Sequence, residues 1–286
     1  MKLDAATFLL QWSTGGLAFC WITTRRREVS LGYGWLLRGI YDLMAAGAVA
    51  LFVTQELTVA RSIALAGSIG VVLATAVALI VSVVRRRAGV RVREELKADR
   101  HTRVAAMVGR EATEMPDRER LAEFPPWLDL VAPVVGAIAL LASAQFAGGP
   151  YMLAGARLLV GAAFLGSVTD AMLLGHWYLV QPGLRRDPVK ELVRWTAIIW
   201  PFELLAFLWP IGMAQVLDGT ISDGYHGIFG WIWVTCAITT IGLVAMTWFA
   251  LKERYYSAVM AATGLLYLAI LTAFGTDLVA RAVLRP

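Results

Sequence analysis

Cysteine and histidine are almost missing from this chain, with two of one and three of the other in 286 residues. Cys20 and Cys236 stand inside apolar runs and form no CxxC pair. Neither a disulfide framework nor a cysteine-held zinc or iron–sulfur centre is therefore expected. His176 and His226 fall near opposite ends of their apolar runs, and His101 lies in a polar loop. A b-type haem usually needs two histidines at similar depth on facing helices, and this arrangement does not provide them. HExxH, GxxxxGK[ST] and GxSxG do not occur, which removes the usual sequence support for zinc proteolysis, nucleotide hydrolysis and nucleophile-elbow chemistry. Charge is scarce, at 16% of residues. The short alternating segments of a membrane β-barrel do not appear either. A cleavable signal is not expected, because Arg25, Arg26 and Arg27 follow the first apolar run instead of preceding it.

What the chain has in abundance is apolar sequence, 58% of it, broken into runs of about 20 residues, the length that crosses a bilayer as a helix. The runs predict an all-α, polytopic transmembrane bundle of about eight spans, at 5–24, 33–54, 62–84, 127–148, 151–181, 193–217, 226–250 and 256–281. Of the 26 Lys and Arg, twenty fall on one side of this threading, five on the other, and Arg38 lies within a span. The positive-inside rule then puts both termini outside, on the periplasmic or extracellular face, and makes this a multi-pass protein of the cytoplasmic membrane. The net charge of +5 is carried at span ends, where topology and anionic lipid account for it, so no nucleic-acid partner is expected.

Residues 1–286 read as a single transmembrane domain. Its one sizeable polar element is the loop 85–126, placed on the cytoplasmic side. The loop opens with helix formers, and Pro116 is positioned to start a second short helix that Pro125 and Pro126 would end. The loop is either a solvated connector at the headgroups or a docking surface for a soluble or membrane partner subunit.

Charges inside the spans carry the chemistry, because each needs a partner or a polar cavity. The threading places Arg38, Asp42, Asp170, His176 and Glu203 in the inner half of the membrane. Arg38 and Asp42 are four apart and available as an ion pair. Asp170 and His176 are six apart and do not share a face. Pro201 and Pro210 favour kinks beside Glu203. Arg157, Asp277 and Arg281 fall near the outer boundary and read as ion pairs there. Gly161 and Gly166, with Ala156 and Ala162, give the fifth span a small face suited to close packing.

Three functions fit this pattern. One is a quinone- or partner-binding membrane subunit of a respiratory-type complex, with the inner polar cluster at the headgroup. The second is a proton-coupled transporter of a small solute, with Asp170 or Glu203 as carrier. The third is a structural or assembly protein in which the charges only pair. No cofactor is evident from a motif, and quinone is the one candidate that the polar cluster suggests.

Overall fold

The computed structural model describes residues 4–88, 123–181, 184–210, 212–253 and 255–284. Helices dominate: α1 (Ala5–Thr24), α2 (Leu31–Val53), α3 (Val59–Val84), α4 (Leu128–Ser143), α5 (Tyr151–Val180), α6 (Asp187–Leu208), the single turn α7 (Met213–Leu217), α8 (Ile228–Ala250) and α9 (Tyr256–Val283). Five of them, α2, α3, α5, α8 and α9, are long and apolar enough to cross a membrane, so this is a multi-pass integral membrane protein. Among the remaining long helices, α4 is shorter and apolar, while α1 and α6 are long enough but more polar. Leu43, Leu73, Ile80, Ile138, Ile238 and Leu271 stand exposed on the bundle surface. In water that would be a liability; against lipid it is the expected girdle. The helices expected within 85–126 fall mostly on residues outside those described; Arg85–Ala88 form a 3₁₀ turn.

One predicted span is redrawn. The run expected at 193–217 is α6, which starts at Asp187 and stops at Leu208, followed by the separate turn α7. Pro188 lies in the first turn, where a missing N–H has no carbonyl to reach, so it favours the start. The first two turns carry Asp187, Lys190, Glu191 and Arg194 and so escape a hydropathy reading. At the other end Trp209 is extended (φ −136°, ψ 150°), as a residue before proline prefers, and the helix ends.

Helices α1 and α5 form the centre, with α2 and α4 packed on α1, α6 and α9 on α5, α3 outside α2 and α4, and α8 outside α9. The centre is held by small residues. A Cβ added at Gly15 would sit 1.7 Å from the carbonyl oxygen of Ala162, and one added at Gly166 would sit 2.2 Å from the carbonyl carbon of Gly15. The backbones of α1 and α5 therefore touch, as small-residue seams permit. Ala156 is exposed and takes no part in this seam.

The basic span ends meet at one end of the bundle. There Arg25 and Arg26 both pair with Glu191, at 2.7 and 3.1 Å, and Arg27 pairs with Glu123. Arg85 donates to the Glu123 carbonyl at 2.9 Å, and Arg186 donates to the carbonyls of Glu253 and Tyr255. At the far end, Asp223 accepts from the backbone amides of Tyr225, Gly227 and Phe229, each at 2.9 Å. These amides, that of Gly227 foremost, hold its carboxyl below the usual range and fasten the start of α8.

Adding a methyl group at the central seam should force α1 and α5 apart. We expect Gly15→Ala to destabilise the detergent-solubilised protein by about 1–3 kcal/mol or more, read from thermal unfolding. Gly242→Ala, where a Cβ meets nothing within 4 Å, should leave the transition nearly unchanged.

Candidate functional site

The interior holds two charge networks, one on each side of the Gly15–Gly166 contact. The first lies toward the basic end. Arg38 of α2 is 2% exposed and donates through Nε and Nη2 to both carboxylate oxygens of Asp129, at 2.8 and 2.7 Å. Asp129 opens α4 and also accepts from the Thr24 hydroxyl at 2.9 Å. The guanidinium carbon of Arg38 stacks 4.4 Å from the Phe124 ring centre. One bidentate pair of hydrogen bonds and a ring face are the arrangement that suits a buried guanidinium. A cleft of about 30 Å³, lined in part by Arg38, Gly34, Arg27 and Glu123, reaches this pair from the basic end. Arg38 Nη1 is buried without a hydrogen-bond partner, and a space of that size accommodates about one water.

Asp170 of α5 belongs to the same region. It is wholly buried, and the Tyr41 hydroxyl of α2 donates to its Oδ1. Tyr33, two turns earlier on α2, donates to the Asp170 backbone carbonyl at 3.2 Å. Asp170 Oδ2 has no hydrogen-bond partner.

The second network lies toward the far end and joins four helices. Arg281 of α9 donates through Nη2 to Gln11 Oε1 of α1 and, at 3.0 Å, to Asp277 Oδ1. Its Nε stands 2.6 Å from Asp277 Oδ2. Gly161 of α5 makes the room: a Cβ there would lie 2.3 Å from Gln11 Nε2 and 3.0 Å from Asp277 Oδ1. Arg157, one turn earlier, donates through Nε to the Ala206 carbonyl of α6 at 2.8 Å. That carbonyl would ordinarily accept from residue 210, which is proline and has no N–H, so Arg157 fills a vacancy written into the sequence.

Glu203 of α6 completes the set. It is wholly buried, in the neighbourhood of Asp277, Arg281 and Arg157. Neither of its oxygens has a hydrogen-bond donor, whereas Asp277 Oδ2 has Arg281 Nε as its ion-pair partner.

These positions correct several expectations. Arg38 pairs with Asp129 and not with Asp42. Asp42 is half-buried, and its Oδ1 has no partner. A carboxylate on a facing helix offers both of its oxygens to the guanidinium fork. His176 does not join the cluster. It is exposed at the bundle surface, with Nδ1 3.3 Å from the Tyr267 hydroxyl. Six residues at about 100° each carry it to the other side of α5 from Asp170. Glu203 does not join Asp170 either, because α6 starts early and ends five residues beyond it. Asp277 and Arg281 form the expected ion pair, but they and Arg157 are buried in the interior and not at the surface: Arg157, Asp277 and Arg281 are 6%, 0% and 1% exposed. Asp129 and Gln11 were not anticipated. Asp129 stands at a span boundary, where it reads as a loop charge. The signal for Gln11 was available, since it is the single carboxamide in the first apolar run. Among the described residues no group of three His, Cys, Asp or Glu is placed to hold a metal ion.

Breaking the first network from one side leaves a buried charge alone. We expect Asp129→Leu to destabilise the protein by about 3–5 kcal/mol and Arg38→Met combined with Asp129→Leu to recover most of it, as measured by thermal unfolding in detergent. Compared with known protein families, curated proteins and solved structures, the chain has no match.

Proposed function

We propose that this chain is an eight-span protein of a cytoplasmic membrane, basic end inside, whose interior accepts protons and hands them on. The observation that carries this reading is Glu203: a carboxyl buried among membrane helices, facing a second carboxyl, with neither of its oxygens paired. Ionisable groups kept inside membrane segments are characteristic of proton and substrate pathways. The proton shared by Glu203 and Asp277 is held between Arg157 and Arg281, which balance the two carboxylates when it leaves. Asp170 and Tyr41 form a second acid–hydroxyl pair about 20 Å further along α5, counted from Arg157 at 1.5 Å per residue. Along α5, between Arg157 and Asp170, stand the buried hydroxyls of Ser167 and Thr169. The cleft beside Arg38 supplies water at the basic end. The segment 85–126 is the natural place for a partner subunit to meet this end.

A second reading is supported by one separate observation. His176 and Tyr267 present a ring nitrogen and a hydroxyl together on the apolar surface of the bundle. Such a pair could hold the carbonyl of a lipid-borne quinone, with the proton supplied from within.

The test is proton movement into liposomes containing the purified chain, followed with an enclosed pH dye under an imposed gradient. We expect flux above that of empty liposomes and a loss on the order of 10²-fold in Glu203→Gln. A proton-coupled solute carrier would give flux only with its solute. If Glu203→Gln alters thermal stability while flux stays at the level of empty liposomes in both proteins, the charges merely pair and the reading fails. Binding of a short-chain benzoquinone that is lost in His176→Ala and Tyr267→Phe would favour the second reading.

A further inference from the structure

At the basic end, a lateral cleft of about 440 Å³ opens between the start of α6 and the end of α8, lined in part by Arg26, Lys190, Arg194, Trp195, Ile198 and Trp248. Its charge is unbalanced. Glu191 is held by Arg25 and Arg26, and Asp187 by Arg185 at 2.8 Å. Lys190 and Arg194 have no carboxylate partner among the described residues, so five cations here face two carboxylates. Lys252 is close as well, its ammonium 5.9 Å from the Trp248 ring centre.

The two unpaired cations are one turn apart on α6, and the same stripe continues away from the basic end as Ile198, Phe202, Leu205 and Trp209. These four are 43%, 57%, 59% and 70% exposed. Residues spaced by three and four lie along one helix face. From Ile198 to Leu205 the stripe runs about 10 Å, and Trp209 follows just past the helix end. The surface therefore offers positive charge at one end, tryptophan beside it, and a long apolar track leading from it into the girdle.

We propose that this cleft is a binding site for an anionic phospholipid, with the headgroup phosphate on Lys190 and Arg194 and an acyl chain along Ile198 and Phe202. A soluble anion would use the cations but gain nothing from the track, and a zwitterionic lipid would use the track but bring a cation of its own to the headgroup site. Basic pockets between membrane helices, flanked by interfacial tryptophan, recognise anionic lipid by this combination. The inference rests on the chain being embedded in a bilayer, and it is independent of whether the interior conducts protons.

The test uses the full chain in mild detergent, titrated with phosphatidylglycerol, phosphatidylcholine or inorganic phosphate and followed by native mass spectrometry and thermal unfolding. Phosphatidylglycerol should be retained and should raise the unfolding temperature, with phosphatidylcholine retained far less and inorganic phosphate without effect. Lys190→Gln with Arg194→Gln should lose roughly thirtyfold in affinity for phosphatidylglycerol, the effect of two near-surface cations. Lys190→Arg with Arg194→Lys should retain it, which separates loss of charge from loss of fold. Equal retention of the two lipids, undiminished binding by the Gln pair, or an equal shift from inorganic phosphate overturns the assignment.

Discussion

The backbones of α1 and α5 touch at Gly15 and Gly166, and both charge networks are arranged about that contact. One turn before Gly15 on α1 stands Gln11, which receives Arg281; nine residues after it stands Thr24, which supports Asp129. On α5, Gly161 opens the cradle for Gln11 and Asp277, and Asp170 follows Gly166 by one turn. A side chain at either seam glycine would separate these groups from their partners on both sides at once. Close approach is therefore more than economical packing. It sets the register in which residues more than a hundred positions apart meet.

Burying charge in such an interior is a poor way to gain stability, because desolvation offsets much of the attraction. The first network is well matched: Asp129 accepts three hydrogen bonds, and Arg38 has a carboxylate and a ring face. The second is not. Glu203 and Arg157 add a second acid and a second base beside the Asp277–Arg281 pair, but neither Glu203 oxygen has a hydrogen-bond donor. The proposed proton role rests on those two unpaired oxygens of a buried acid.

The helices were legible because each is an apolar run between polar loops: helices coincide with seven of the eight expected runs to within about five residues, and five of the helices are long and apolar enough to cross a membrane. That the charged run 151–181 would be unusual was also legible, and α5 proves to be the central helix. The pairing was not. Arg38 and Asp129 are 91 positions apart, and no local spacing announces their contact. Depth was misjudged where polar turns hid a helix start: reading α6 from 193 moved Glu203 into the wrong half of the bundle. Pro188, a residue favoured in a first turn, was the sign that the helix began earlier. The Arg157–Ala206 bond could have been anticipated in part, since Pro210 announces a carbonyl in want of a donor.

The central claim is that Glu203 and Asp277 share a proton in the bundle interior. Infrared difference spectroscopy of the full chain, with the carboxyl C=O stretch followed through a pH titration in ordinary and heavy water, tests it most directly. The account predicts a protonated-carboxyl band that shifts in heavy water and disappears in Glu203→Gln. A spectrum in which no protonated carboxyl is present at neutral pH, or one whose band is unchanged in Glu203→Gln, would contradict it.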